Sequence, residues 1–156
     1  MLTRYIGHTI TAATVPPGTI LYHGRPDNDR PTKLDWLATD PEHSYVFCRE
    51  KCYLSTYVTT RPLRLAYFDG FSAANVPSGV LDTQDIVIWG KARPDMIRDE
   101  LVRIQGLCKW GEQFELDGFV RYWFDYFLHL AFSLMGFFLQ DGNGLVSITH
   151  LVDRSG

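Results

Sequence analysis

The stretch Thr19–Phe47, TILYHGRPDNDRPTKLDWLATDPEHSYVF, decides how the chain is read. Ile20-Leu21-Tyr22 is an apolar, β-prone run ended by His23-Gly24, where glycine permits a close backbone approach. Arg25 to Lys33 is rich in Pro, Asn and Asp and predicts a loop. Leu34 to Thr39 alternates and predicts a second strand. Asp40-Pro41-Glu42-His43 then starts a helix. Asp accepts the orphan N–H groups of a first turn, Pro fits the first helical position, and Glu42 suits the positive helix end. The helix is expected to run to about Lys51.

Outward from this stretch the punctuation is regular. Residues 1–18 read as a leader with a short edge strand near Thr9–Thr11, broken by Pro16-Pro17-Gly18. Tyr53–Thr60 and Leu63–Phe68 are β-rich runs interrupted by Arg61-Pro62. They predict two strands, or one strand with a bulge at the proline. Residues 71–85 read as a long irregular segment, and Ile86–Trp89 as a short strand. Pro94–Phe114 is the best helix, with Ile97, Leu101, Ile104 and Cys108 forming an apolar stripe. Gly106 weakens it slightly. Phe119–Trp123 and Leu145–Val152 read as late strands.

The 156 residues fit one domain, 1–156. The expected fold is α+β: a mixed or largely antiparallel sheet with the 40–51 and 94–114 helices packed on it. A net charge of −3 argues against a broadly basic nucleic-acid surface, though not against a local patch. Three cysteines, an odd count at wide spacings, argue against a disulfide framework. Cys48 and Cys52 therefore read as buried thiols in a reduced, cytoplasmic setting, and no zinc pattern completes them. No secretory signal precedes the first strand. Tyr122–Leu139, YWFDYFLHLAFSLMGFFL, is apolar but carries Asp125 and His129. A buried core segment is favoured over a membrane-associated helix, because an intramembrane Asp is costly.

Several residues carry candidate chemistry. His23, at a strand end beside a loop, suits proton transfer or hydroxyl binding, and a turn histidine bonded to backbone is the plainer alternative. Glu42 is a candidate acid or base, whereas Asp40 reads as a cap. His43 is the weaker of its pair, because adjacent helical residues point apart. Asp82-Thr83-Gln84-Asp85 presents two carboxylates that suit a guanidinium, and a solvated turn is the alternative. Tyr67 and Asp69 end a strand. No phosphate loop, nucleophile elbow or metal motif is present in the sequence, and no metal or other cofactor is expected.

Two resemblances follow from these motifs. LYHG at 21–24 and the strand–helix–strand order resemble the start of ADP-ribosyltransferase-like folds, in which His23 would hold the NAD ribose. The late strand GFVRYWFD lacks the Glu those families use. The closer likeness is to a widespread fungal family, carried by LYHG (21–24), WLATDPEHSYVF (36–47), RPLRLAYFDGFSA (61–73), GVLDTQD (79–85) and FELDGFVR (114–121). That family is linked with arginine-containing cyclodipeptide synthases. The likeness implies a transferase drawing on arginyl-tRNA, with no stable protein partner. His23, Glu42 and Asp85 would be catalytic, and Arg25, Tyr67, Asp69, Asp82 and Gln84 would bind substrate. From about residue 122 the chain departs from the family, and 122–156 reads as a divergent or truncated part. An inactive remnant or binding module is the alternative from another class.

Overall fold

A computed structural model describes residues 9–29, 35–46, 51–68, 82–96, 99–121 and 145–153. In chain order it contains β1 (Ile10–Val15), β2 (Ile20–Arg25), α1 (Pro41–Val46), β3 (Lys51–Thr59), β4 (Leu63–Phe68), α2 (Asp82–Trp89), a 3-10 turn (Pro94–Met96), α3 (Glu100–Glu112), β5 (Gly118–Val120) and β6 (Leu145–Asp153). The strands form two sheets, ordered β1-β4-β5 and β2-β3-β6. All pairs are antiparallel except β4–β5. The class is the expected α+β with antiparallel-dominated sheets.

The two sheets share one bent ladder. Val15 faces Leu63 in the first sheet, and Ile20 faces Val58 in the second. Each chain advances by the same number of residues across the bend, so the register carries over unchanged. The bend falls where Pro16-Pro17-Gly18 lies opposite Thr60-Arg61-Pro62. Proline cannot donate to a ladder, and Gly18 supplies a φ of 81°, so pairing stops on both chains at once. The buried Thr59 seals this corner. Its hydroxyl donates to the Pro16 carbonyl at 2.8 Å and accepts the Thr19 N–H at 2.9 Å. The Gly18 N–H donates to the Thr59 carbonyl at 2.7 Å. Of the two readings open for 53–68, two strands is therefore correct, and they belong to different sheets. Residues 10–15, read mainly as leader, supply the edge strand β1.

β4 is buried on both faces. Ala66 and Phe68 meet Ile104 and Leu107 of α3 together with Phe119 of β5. Leu63 and Leu65 meet Leu21, Leu37 and Val120. Burying a leucine contributes roughly 1.5–3 kcal/mol, so this strand joins the two halves of the core.

Five expectations change. Ile86–Trp89 is helical and belongs to α2. A strand would place Ile86 and Ile88 on one face, but Ile86 is 54% exposed while Ile88 packs on the core. The buried face of α3 is Arg103, Ile104, Leu107 and Gly111, not the stripe through Leu101 and Cys108. Ile97 lies outside the described residues, and regular α3 starts only at Glu100. The 40–51 helix is shorter: α1 ends at Val46, and Lys51 already lies in β3. Among the described residues the expected strand at 34–39 reduces to isolated bridge positions at Asp35 and Ala38, the latter paired with Tyr22. Cys52 is buried and disulfide-bonded rather than a thiol, whereas Cys108 is free. The apolar run 122–139 lies outside the described residues.

Candidate functional site

The first candidate centre forms at the end of β2. His23 is 2% exposed and faces Asp35, with Nε2 3.4 Å from Oδ2. Its ring stacks edge-on against Trp36, with centroids 4.6 Å apart. Asp35 is held from two further sides: Arg25 Nη1 donates to Oδ2 at 3.1 Å, and the Trp36 N–H donates to Oδ1 at 2.9 Å. Arg25 also donates through Nε to Asp27 at 3.0 Å. One guanidinium therefore spans two carboxylates and ties Asp27 and Asp35 to the strand end.

Burial lowers the His23 pKa below its ordinary value and Arg25 adds to the effect. Asp35 pulls the other way without cancelling it. His23 is thus neutral at pH 7, able to take a proton rather than release one. Asp35 and Arg25 are each about a quarter exposed, at 26% and 28%, so the imidazole lies one layer beneath a surface carboxylate. Trp36 in turn packs on the β4–α3 core. This rigid backing suits a site.

The second centre lies between α2 and α3. Asp85 is 2% exposed and receives Arg103 Nε at 2.9 Å and the Arg93 N–H at 2.9 Å. Arg103 is fully buried and also donates to the Met96 carbonyl at 3.0 Å. The Arg93 and Arg103 guanidiniums lie 5.6 and 5.7 Å from the Trp89 ring centre. Gln84, fully buried, accepts from Arg121 Nη1 at 3.4 Å. Arg121 also pairs with Glu100. Burial lowers the Arg121 guanidinium to about 9, which leaves it charged at neutral pH.

The expected site residues therefore separate. His23 and Arg25 come together, joined by Asp35 and Asp27. Asp85 and Gln84 do belong to one cluster, but Asp85 meets the chain's own guanidinium. Asp82 stands in the first turn of α2. Glu42 is exposed in the first turn of α1, where its N–H donates to Asp40 Oδ1 at 2.8 Å. This is the capping role expected of Asp40. Tyr67 packs in β4 against the Leu21–Leu65 core. Asp69 lies outside the described residues.

Asp35 was the residue that sequence reasoning missed as a partner of His23, because it was counted only as the polar face of a strand. Arg103 was not singled out, because its partner Asp85 lies 18 residues earlier and no short-range pattern marks a buried arginine. Asp117, within FELDGFVR, is likewise structural. It accepts from Arg61 Nη1 at 3.0 Å and from the Arg64 N–H at 2.8 Å, clasping β5 to β4.

Among the described residues no three His, Cys, Asp or Glu side chains gather to hold a metal ion. Among them, too, no helix is long and apolar enough to cross a membrane.

Comparison with known proteins places the chain among yeast relatives. It is 26% identical over 166 residues to "Uncharacterized protein YOR389W" of Saccharomyces cerevisiae, covering 74% of this chain and 26% of that protein. It is also 26% identical over 167 residues to "Uncharacterized protein YPL277C" of the same yeast, covering 74% and 34%. The chain thus spans about a quarter to a third of the length of these curated relatives. No solved structure matches it. A family model described as the YPL277C N-terminal domain matches residues 48–155. That span takes in β3, β4, α2, α3, β5 and β6, and the chain belongs to the YPL277C N-terminal domain family.

Proposed function

We propose that the chain is a group-transfer enzyme in which the His23–Asp35 pair handles the proton of an attacking amine. The observation that carries this reading is a neutral, buried imidazole set 3.4 Å behind a part-exposed carboxylate. Such a pair suits general base catalysis: Asp35 holds the substrate ammonium at the surface, and the proton passes to His23. The reaction class follows the motif likeness, namely formation of an arginine-containing cyclodipeptide from aminoacyl-tRNA. There the amine attacks an aminoacyl ester, an amide bond forms and the ester bond breaks. The proton held on His23 returns to the departing ribose hydroxyl. A second attack of the same kind closes the ring.

Asp85 leaves the proposed substrate site, because Arg103 already occupies its carboxylate. Asp82 remains as the acid for the substrate guanidinium. Arg25 serves as the clamp that holds Asp35 in place.

Expression of the chain in a heterologous host, followed by mass spectrometry of the medium, tests this. An arginine-containing diketopiperazine is expected. It should fall at least about 100-fold in His23→Gln, since general base catalysis contributes at least that much. Undiminished product in a folded His23→Gln variant would remove the proton-handling role.

One observation favours a second reading, a binding module. The charged side chains of the α2–α3 cluster are engaged with one another. Absence of any diketopiperazine from a soluble, folded chain would select it.

A further inference from the structure

We infer that the start of α3 is a phosphate-binding site, closed in the free chain by the carboxylate of Glu100. Two guanidiniums reach this point from different elements. Arg103, fully buried, sends Nε to Asp85 and Nη2 to the Met96 carbonyl. Among the described residues its Nη1 is buried without a hydrogen bond and lies 3.7 Å from Glu100 Oε2. Arg121, at the end of β5, contacts the other oxygen of the same carboxylate.

Asp99, which precedes α3, makes no side-chain capping bond, so the backbone donors of the first turn receive nothing from it. The helix end, Arg103 Nη1 and Arg121 form a donor set in which Glu100 is the acidic side chain. Its two oxygens are divided between Arg121 and Arg103, and Arg103 Nη1 stands 3.7 Å away without a hydrogen bond among the described residues. A phosphate has more acceptor oxygens in a tetrahedral array and can meet both forks and the helix end together. Glu100 is 39% exposed, whereas Arg103 is fully buried and Arg121 nearly so, so the plug is the part of the cluster nearest to water. It can swing outward without disturbing the Arg103–Asp85 pair.

This site is distinct from His23 and Asp35, and the inference does not depend on the proposed reaction. The test uses the full chain at constant ionic strength, with inorganic phosphate titrated against chloride and followed by amide NMR shifts and thermal melting. Glu100→Gln removes the competing charge and keeps the shape. It should bind phosphate at least about tenfold more tightly than wild type, as expected for one freed charge-assisted contact. The gain should vanish when Arg121→Gln is added.

A trinucleotide RNA compared in the same variant separates the sources of the phosphate. Tighter binding than inorganic phosphate assigns the site to a nucleic-acid backbone, and no advantage assigns it to small phosphate ligands. Equal response of Glu100→Gln to phosphate and chloride would overturn the inference, as would a gain that survives Arg121→Gln. If Glu100→Gln does not fold, Glu100→Asp serves under the same criteria, because its shorter carboxylate withdraws from Arg121.

Discussion

The cluster around His23 and the cluster around Asp85 use the same materials, guanidiniums, carboxylates and a tryptophan, and differ in what is left over. Around Asp85 both carboxylate oxygens are filled from within, by Arg103 and the Arg93 N–H, at 2% exposure. Around His23 the carboxylate of Asp35 is reachable from water, and the imidazole behind it is neutral. A carboxylate buried against its own arginine is part of the core. A part-exposed carboxylate backed by an imidazole has chemistry to offer. The two also differ in lineage: residues 82–121 lie inside the family match at 48–155, whereas His23 and Asp35 precede it.

The sharpest way to break this contrast is to disturb Asp85. Arg103→Met leaves a buried carboxylate uncompensated and should cost about 3–5 kcal/mol in urea unfolding. Combining it with Asp85→Leu should recover most of that loss, because the pair is replaced by apolar volume. If Arg103→Met costs no more than a surface change, the cluster is not a structural core and the contrast collapses.

The junction between the two helices gives the next effect. A Cβ on Gly106 would stand 2.5 Å from Ile88 Cγ2. Gly106→Ala should therefore destabilise by about 1–3 kcal/mol despite its better helix propensity. The partner change Ile88→Ala in the same chain should relieve the clash, and a failure to do so would place the cost elsewhere.

Acid titration should act on both ends of the molecule in separate windows. His23 has a lowered pKa in the fold, so below about pH 6.5 the unfolded chain takes up its proton first and stability declines as pH falls. Arg61 holds the Asp117 carboxyl below its ordinary value, so that contribution is present above about pH 4 and is lost as pH falls through the folded value. His23→Gln should erase the first decline and leave the second. The smallest effect belongs to Arg61→Ala, worth at most about 1 kcal/mol because the guanidinium of the pair is exposed, Arg61 being 46% accessible.

Much of this was legible in the residues. The Pro-Pro-Gly and Arg-Pro breaks mark the corner, the Asp-Pro pair marks α1, and the β-branched runs mark β3, β4 and β6. Those signals are local, arising from missing donors, capping oxygens and side-chain shape. The helix α2 was not legible, because IVIW reads as a short apolar strand and DTQD as the end of a loop until Gln84 and Asp85 are allowed to be buried. Burial of that kind depends on Arg103 and Arg121, which arrive 18 and 37 residues later. The pairing of His23 with Asp35 escaped for the same reason. Asp35 stands 12 residues after His23 in the sequence, and no short-range pattern announces that the two meet. The close approach at Gly106 was likewise hidden, since the sequence presents that glycine only as a weak point in a helix.

The most direct test of the central claim measures product yield and unfolding free energy together for His23→Gln and Asp85→Asn. The account predicts a folded His23→Gln chain of near-normal stability whose diketopiperazine yield is down at least about 100-fold. It predicts an Asp85→Asn chain whose main defect is stability, with yield per folded molecule retained. The reverse pattern, product surviving in His23→Gln and lost in a fully stable Asp85→Asn chain, would contradict it.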